Sequence, residues 1–452
     1  MKTKFLKKAT AVFLAVLLLV ATVGCGQEKG GGNEQDSSQP STTQDKNAST
    51  QEQSKVVEIT YPTFRVGSHN AAAAEAEYLK QFEEKFGDRI KVVVEELPSD
   101  QAYYDKMKVL AASSELPDIV EGNFGVLEAA IKNGQAIDLT PYVDADPQYK
   151  AEIGEAAIEA NTIDGKLYSI SNNRQLIGYF YNKEIFEKAN VQPAKTWDEF
   201  MDNCEKIKQA GYIPLSLMTG ENCWTTNLIL ASIIGTSGEE GNEFMNTMYP
   251  ESYQKPYVIE ALAMVQKMLQ EYTTDDALGS IYANTANHFL TGKTAIIANG
   301  PWMTPDFSDP EKAAEGFADK VGVALFPESG AVSQYERGYS ICAKTKEKQD
   351  AAFEFIKFKT DANGQKIHLE LAGVLPLTAN IEFSEEYKQK NPLVVELLSL
   401  ADGTKYRYRT IGATCYTSVD DAFSKLYPEL ASGKLTPAEM AKKLDEAAEK
   451  NK

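Results

Sequence analysis

The sequence predicts an α/β fold divided into two lobes. Residues 55–452 exceed the size of one ordinary domain, for which roughly 150 residues is a common length. Strand-like and helix-like segments alternate at the start of this stretch, an order typical of a parallel sheet with helical crossovers. No repeat of solenoid period is visible in the sequence. Two α/β lobes are therefore favoured over a repeat array.

The elements are predicted from the spacing of apolar residues. The predicted strands are 56–61, 90–95 and 118–121. The predicted helices are 71–86, 103–112, 197–210, 257–272, 349–357 and 437–449. In the first helix Leu79, Phe82 and Phe86 fall on one face, which we expect to be buried. Thr196 is followed three residues later by Glu199, the spacing of a capping box at the start of the third helix.

The loops after two of these strands are the first places to look for a ligand site. In open α/β sheets, ligands bind outside the carboxyl ends of the strands. The loops at 62–70 and 122–125 follow the first and third predicted strands. We therefore expect polar ligand contacts from these two loops.

The N-terminus resembles the leader of a bacterial lipoprotein. Four lysines within the first eight residues precede an apolar run at 9–24, which is shorter than the roughly 20 apolar residues that a transmembrane helix needs. Residues 22–25 (TVGC) resemble a lipobox, in which a small residue precedes a cysteine that receives a diacylglycerol; Thr22 stands where the pattern prefers Leu, Val or Ile. We expect residues 1–24 to be removed as a signal peptide and Cys25 to be lipidated.

A polar segment follows this cysteine. Residues 26–54 contain no aromatic residue and a single apolar one, Ala48, which is too little apolar surface to offset the entropy of ordering the chain. A flexible coil of this length reaches on the order of 30 Å. The sequence therefore predicts a lipidated Cys25 and a disordered tether at 25–54, with the protein on the extracytoplasmic face of the cell membrane.

The charge balance excludes some classes of partner. Without the four lysines of the signal, 42 basic residues stand against 65 acidic ones, a net charge of −23. So negative a chain argues against nucleic acid or anionic lipid as the ligand. It fits a neutral or cationic small ligand, with membrane association through the lipid anchor alone.

Four cysteines remain in the body of the chain, namely Cys204, Cys223, Cys342 and Cys415. Two disulfides among them would allow three connectivities, and the sequence does not choose one. None shows the CxxC spacing of a metal or redox site. We expect free, buried thiols.

Motifs of catalysis or cofactor binding are missing from the sequence. The three histidines, His69, His288 and His368, are too scattered for a zinc motif such as HExxH. No GxSxG, Walker or GxGxxG pattern occurs. A glycosidase would need two carboxylates about 5 to 9 Å apart, and the sequence neither indicates nor excludes such a pair. No metal and no cofactor are expected.

One segment carries a family resemblance. Residues 178–200 read GYFYNKEIFEKANVQPAKTWDEF and resemble the signature of the family 1 extracellular solute-binding proteins, the maltose-binding-protein-like receptors of ATP-driven sugar importers. Further blocks match in order at 115–120, 164–170, 289–302, 321–327 and 352–358. Together they cover most of residues 55–380.

The resemblance implies a two-lobed periplasmic-binding-protein-like fold with a ligand cleft between the lobes, enclosed by hinge closure. The first lobe is expected to hold residues 55–174 and 328–385. The second is expected to hold residues 175–327 and 386–452. Trp197 lies within the signature, and we expect it to pack in a core.

The resemblance also implies which residues line the cleft. Sugars present apolar C–H faces and polar hydroxyl edges, so their sites need aromatic rings and planar hydrogen-bonding groups. The expected aromatic contacts are Trp302 in the Asn-Gly-Pro-Trp turn, Trp224 and Tyr416. The expected polar contacts are Arg65, His69, Glu121, Asn123, Arg174, Gln175 and Arg337.

The function that these expectations favour is capture of a carbohydrate, in particular an oligosaccharide, and its delivery to the permease subunits of an ABC importer. The receptor would be monomeric and without catalysis, anchored on a Gram-positive cell. Arg65, Arg174 and Arg337 leave open a ligand that is an acidic sugar, and a polyamine is a further alternative. Alternatives of other classes are an extracellular carbohydrate-active enzyme and an adhesion protein.

Overall fold

Strands and helices alternate along the chain in a computed structural model that describes residues 56–123, 125–378 and 381–451. The predicted signal peptide, the lipidation site Cys25 and the tether lie outside the described residues. The strands are β1 Val57–Thr63, β2 Ile90–Glu96, β3 Ile119–Glu121, β4 Thr162–Ile163, β5 Lys166–Leu167, β6 Arg174–Asn182, β7 Ile213–Leu215, β8 Thr294–Asn299, β9 Val321–Ala324, β10 Gly330–Tyr335, β11 Tyr339–Ile341 and β12 Tyr406–Tyr408.

The α-helices include all six predicted ones, with ends shifted by up to three residues. They are α1 Ala72–Phe86, α2 Asp100–Ser113, α3 Val126–Lys132, α4 Thr140–Asp144, α5 Pro147–Ile153, α6 Glu155–Ala160, α7 Lys183–Lys188, α8 Trp197–Gln209, α9 Trp224–Gly235, α10 Glu239–Asn246, α11 Pro256–Glu271, α12 Tyr282–Leu290, α13 Phe317–Lys320, α14 Lys346–Thr360, α15 Ala362–Ala372, α16 Glu385–Lys390, α17 Pro392–Ala401, α18 Ile411–Thr414, α19 Thr417–Ala431 and α20 Pro437–Ala448. A 3₁₀ helix, Pro301–Ser308, follows β8.

The strands near the N-terminus pair differently from one another. β1 and β2 are parallel, with Val57 opposite Ile90, as the alternation predicts. β3 instead forms an antiparallel ladder with β11, which returns from far along the chain. The Asp118 carboxylate accepts hydrogen bonds from the backbone N and the hydroxyl of Thr60, at 2.8 and 2.9 Å, so side chains join β1 to the start of β3. The predicted parallel ladder therefore stops after two strands.

The larger sheet has the order β12-β10-β6-β8-β7, and β9 also pairs with β6. β6 is antiparallel to β10, β8 and β9. Its first half, from Arg174, pairs with β10, and its second half, from Gly178, pairs with β8. β6 therefore leads the chain from the elements near the N-terminus into the larger sheet.

The apolar cores fall into two groups, which we call the first and second lobes. The first lobe has one cluster around Tyr61, Phe82 and Phe355, and another around Tyr103 and Met107. The clusters of the second lobe draw on β6, β8 to β10, β12 and helices that include α8, α9, α11, α19 and α20. α15 contributes to a cluster in each lobe and so joins them.

Two predictions about individual core residues are confirmed. Trp197 is 8% exposed, and its ring nitrogen donates a 2.8 Å hydrogen bond to the Thr236 hydroxyl. The four body cysteines are buried free thiols.

No helix within the described part of the chain has the length and apolar character needed to cross a bilayer.

The predicted capping box at the start of α8 is only half formed. The Thr196 hydroxyl accepts from the backbone N of Glu199 at 3.2 Å, as expected. The Glu199 carboxylate reaches past Thr196 and accepts from the backbone N of Lys195 at 2.8 Å. A complete capping box forms instead at α20, between Thr436 and Glu439.

Candidate ligand-binding cleft

Two tryptophans of the second lobe lie together where the lobes meet. The rings of Trp302 and Trp224 are 6.2 Å apart between centroids and inclined by 50°, and both are partly exposed. Trp302 packs against clusters of both lobes, and its carbonyl accepts a 2.9 Å hydrogen bond from the Asn70 side chain. The ring folds over Gly300, where a Cβ would come within 2.2 Å of it. The structure therefore brings these two predicted contacts together.

A second aromatic pair lies at the start of α19. Tyr416 stacks on Tyr249, with centroids 4.3 Å apart and planes inclined by 16°. The backbone N of Tyr249 donates to the Thr414 carbonyl at 2.7 Å, which holds Tyr249 beside Tyr416. Burial raises the pKa of Tyr249 to about 12, and the nearby Glu128 of the first lobe acts in the same direction. Sequence reasoning missed Tyr249, because nothing local to Tyr249 indicates that it meets Tyr416.

The first lobe contributes a buried ion pair. Arg65, after β1, pairs through its guanidinium with the carboxylate of Glu121 at the end of β3. Arg65 is 9% exposed and also lies 4.7 Å from the centroid of the Phe64 ring. Glu121 is fully buried, and its second carboxylate oxygen has no hydrogen-bond partner among the described residues. A buried acceptor in this state is costly unless a donor reaches it.

A carboxyl that the sequence did not single out, Glu336, lies beside this pair. It accepts hydrogen bonds from the side-chain nitrogens of Gln175 and, at 3.3 Å, Asn123. Burial raises the pKa of Glu336, and Glu121 adds to that shift, whereas the positive charge of Arg65 opposes it. Two of the predicted polar contacts, Gln175 and Asn123, therefore converge on a residue that the sequence did not single out.

The remaining predicted arginines have different surroundings. Arg337 donates from its guanidinium to the Ala160 carbonyl at 2.6 Å and lies 3.7 Å from the Glu128 carboxylate, so the first lobe holds it. Arg174 opens β6 opposite Tyr335, and its guanidinium makes no hydrogen bond or ion pair within the described residues. Because Arg65 and Arg337 face carboxylates of the protein, the case for an acidic ligand is weaker than the three arginines suggested.

His69 lies in the loop after β1, close to Trp302 through its neighbour Asn70. Its Nδ1 accepts from the backbone N of Ala71 at 3.0 Å, and its ring meets Phe64 edge to face at 5.3 Å. Burial lowers the pKa of His69 to about 3, with smaller contributions from Arg65 and Lys312. His69 is therefore a neutral hydrogen-bonding group near pH 7.

The lobes touch each other beside these groups. Lys108 on α2 lies 3.5 Å from the carboxylate of Asp421 on α19. Gly125, at φ +83°, lies against Thr417, because a Cβ at this glycine would be 2.1 Å from the threonine hydroxyl. With the bond from Asn70 to Trp302, these contacts describe a closed arrangement of the two lobes.

Another carboxyl lies on the second-lobe side of this contact. Asp420, in the first turn of α19, is partly buried and makes no side-chain hydrogen bond within the described residues. Burial raises its pKa to about 7, with Asp421 acting in the same direction and Lys108 against it. Among residues 56–123, 125–378 and 381–451, no group of three histidine, cysteine or acidic side chains is placed to hold a metal ion.

Aromatic rings of the second lobe and buried polar groups of the first lobe lie near the contacts between the lobes, an arrangement that fits capture of a ligand between them. The chain belongs to the bacterial extracellular solute-binding proteins, whose family model matches residues 77–394. The family and its relatives are binding proteins rather than enzymes. This finding confirms the resemblance that the signature at residues 178–200 carries.

Similar proteins include several named for sugars. The arabinooligosaccharide-binding protein of Bacillus subtilis (strain 168) is 24% identical over 401 residues, which cover 85% of this chain and 84% of that protein. The multiple sugar-binding protein of Streptococcus mutans serotype c is 27% identical over 226 residues, about half of each chain at 47% and 51%.

The solved structure of a chitin oligosaccharide binding protein superposes with a TM-score of 0.76 at 21% identity, covering 87% of this chain and 98% of that one. This likeness confirms the predicted two-lobed fold.

Proposed function

We propose that this protein is a lipid-anchored extracellular receptor that captures a carbohydrate, specifically an oligosaccharide, and delivers it to the permease of an ABC importer. The observation that carries the proposal is the pair of aromatic platforms, Trp302 with Trp224 and Tyr416 with Tyr249, on one lobe opposite buried hydrogen-bonding groups on the other. Two separate platforms suit a ligand of more than one ring. Relatives named for arabinooligosaccharides and for multiple sugars support the same class.

We assign the predicted residues two kinds of role. The rings of the two platforms stack on the sugar faces. Glu121, Asn123, His69 and Arg174 bind hydroxyl groups, and the unpartnered oxygen of Glu121 supports this role because a hydroxyl can donate to it. Arg65, Gln175 and Arg337 hold these groups in place through their own bonds within the protein.

The lobes are proposed to comprise residues 55–174 with 336–385 and residues 175–335 with 386–452, as a monomer that closes around the ligand; the return crossing is placed after β10 rather than at residue 328, because β10 pairs with β6 and β12. Lipidation of Cys25 would keep this body near its permease on the extracytoplasmic face of a Gram-positive membrane. The anchor would so raise the effective concentration of the receptor at the permease. Mass spectrometry of the membrane-extracted protein should find a diacylglycerol on an N-terminal Cys25. Cys25→Ser should release the protein from the membrane fraction, and full retention of that variant would contradict the anchor.

The ligand class is tested by a thermal-shift screen of residues 55–452. The panel holds arabino-, chito- and malto-oligosaccharides, raffinose, oligogalacturonates and spermidine. A neutral oligosaccharide should raise the melting temperature, since a hundredfold excess over the dissociation constant stabilises the folded protein by about 2.7 kcal/mol. Binding of oligogalacturonates or spermidine alone would contradict the proposal. Release of reducing ends from an oligosaccharide would indicate an enzyme instead.

The aromatic platform is tested by Trp302→Ala. This variant should lose most of the saccharide-dependent shift while the free protein stays folded. Tyr257→Ala is the matched control, because Tyr257 is also partly buried against the main second-lobe core but lies on α11, near Glu240 and Glu243. Unchanged saccharide binding in Trp302→Ala would remove Trp302 from the site.

A further inference from the structure

Glu336 stands where the chain passes from the second lobe back into the first. It follows the last residue of β10, and its backbone N donates to the Asn173 carbonyl at 3.1 Å, just before β6 begins. Three residues later the chain enters β11 of the first lobe. Its carboxylate joins Gln175 of β6 to Asn123, which follows β3. These two hydrogen bonds therefore join chain segments on either side of the crossing between the lobes.

These bonds belong to a longer relay of side chains. On the side of the second lobe, the backbone N of Thr410 donates to Gln334 Oε1 at 2.8 Å, and Gln334 Nε2 donates to Gln175 Oε1 at 2.6 Å. Gln175 Nε2 then donates to Glu336. On the side of the first lobe, the backbone N of Arg337 donates to Asn123 Oδ1 at 3.0 Å, and Asn123 Nδ2 donates to Glu336.

The relay ends on a backbone N–H at each side, and a backbone N–H is always a donor. Each carboxamide between the ends accepts through its oxygen and donates through its nitrogen. Both series of bonds therefore run inward and meet at one group, which must accept from both sides. Because Gln175 donates to Oε1 of Glu336 and Asn123 donates to Oε2, an ionised carboxylate can accept both bonds, whereas a carboxamide would present an oxygen to one donor and a nitrogen to the other. Turning over any amide of the relay would only move the mismatch toward Thr410 or Arg337.

We propose that Glu336 is a positioning residue: it fixes the orientation of the Asn123 and Gln175 carboxamides and holds the two lobes in the closed arrangement. The contribution of Asn123 to a ligand rests on the proposed function. The effect on the lobes does not, and it is measured without ligand.

The donor and acceptor count predicts two single variants that each break the relay and a double variant that restores it. In Glu336→Gln, one nitrogen in the relay must face another nitrogen, so the relay loses one hydrogen bond. In Gln175→Glu, two carboxylates face each other. In the double variant Gln175→Glu with Glu336→Gln, the carboxylate at 175 accepts from Gln334 and from the new amide at 336, whose oxygen accepts from Asn123. Every donor is then satisfied again.

The closed arrangement is measured by the distance between nitroxide labels in ligand-free residues 55–452. Val109→Cys on α2 and Lys425→Cys on α19 give exposed attachment points on the helices that carry Lys108 and Asp421, and the native cysteines are buried. In the protein with the unaltered relay, we expect a population of molecules with a short distance between the two labels. Each single variant should reduce the ratio of closed to open molecules roughly tenfold or more, the scale of a hydrogen bond to a charged group. The double variant should restore it.

The control is Glu382→Gln, a loss of the same charge at an exposed position, which should leave the distances unchanged. An unchanged distribution in Glu336→Gln, or a double variant as open as the single ones, would overturn the proposal. If Glu336→Gln fails to fold, refolding of the double variant supports it and continued failure contradicts it. A chain that closes as described but binds no saccharide would count against the proposed function alone.

Discussion

Asp420 is a single residue whose buried carboxyl affects the stability of the whole protein. Its pKa rises from an ordinary value near 3.8 to about 7, chiefly through burial. Between these two pH values the folded protein holds more protons than the unfolded chain, so this group's effect on stability becomes less favourable as pH rises from about 4 to about 7. Above that range the penalty is constant.

Asp420→Asn should therefore raise the melting temperature at pH 8, by roughly 2 to 4 °C, and leave it nearly unchanged at pH 4. The pKa values of His69 and His368 are lowered to about 3, so these residues destabilise the folded protein as pH falls below about 6.5. This effect is the same in the parent and in Asp420→Asn. Thermal denaturation of variant and parent at pH 4, 6 and 8 isolates the difference. An equal shift at pH 4 and pH 8 would contradict the ionisation of Asp420 as the cause.

Gly300 controls the placement of the Trp302 ring. A Cβ at this glycine would meet the ring at 2.2 Å, while the backbone at φ −114° is open to any residue. Gly300→Ala should therefore move the ring without straining the chain and weaken saccharide binding by about tenfold or more, with a near-normal melting temperature. Gly403→Ala is the control, because its nearest neighbour would be 3.6 Å away. Titration calorimetry with the saccharide found in the screen measures both.

The family resemblance pointed to part of the candidate site. Trp302, Trp224 and Tyr416 could be named because the resemblance implies aromatic ligand contacts at or near those positions. Tyr249 and Glu336 could not, since their roles come from contacts with residues more than a hundred positions away. The pairing of Arg65 with Glu121 was likewise beyond the sequence, although both residues were named.

At the scale of one element, the two caps at α8 and α20 show how far a motif predicts its bonds. Both have threonine at the N-cap and glutamate three residues on, yet only α20 forms the reciprocal pair. At α8 the Glu199 carboxylate finds the backbone N of Lys195 instead. The spacing therefore predicts where a helix begins better than it predicts which N–H group the glutamate satisfies.

The complete capping box should contribute measurably to stability. Thr436→Ala removes the acceptor of the Glu439 backbone N and the donor to the Glu439 carboxylate, so unfolding in urea should cost about 1 kcal/mol less. Thr436→Ser keeps the hydroxyl and should lose much less. Equal losses in the two variants would mean that the methyl group, rather than the hydrogen bonds, is responsible.

The order of the strands could be predicted only where neighbours in the chain are neighbours in the sheet. The parallel pairing of β1 with β2 followed from the strand-helix-strand order. The partner of β3 did not, because β11 is more than two hundred residues away and Asp118 already joins β1 to the start of β3. Local apolar spacing gives elements, whereas long-range pairing depends on side-chain contacts that the spacing does not contain.

At the scale of the whole molecule, opposite charges meet at one of the contacts between the lobes. Lys108 and Asp421 belong to different lobes, and their side chains are 27% and 58% exposed. A pair this exposed contributes about 0 to 1 kcal/mol and is screened by salt. It should therefore shift the balance between open and closed molecules by no more than a few fold, in contrast to the larger effect expected at Glu336.

Lys108→Ala should reduce the closed population a few fold at low ionic strength and have little effect at high ionic strength, read from the nitroxide distances on α2 and α19. Lys106→Ala is the matched control, because it removes the same charge from the same helix while its partner, Glu95, belongs to the same lobe. A salt-independent effect of Lys108→Ala would indicate lost packing rather than charge. Equal effects of the two variants would mean that the charge of α2, and not the contact with Asp421, favours closure.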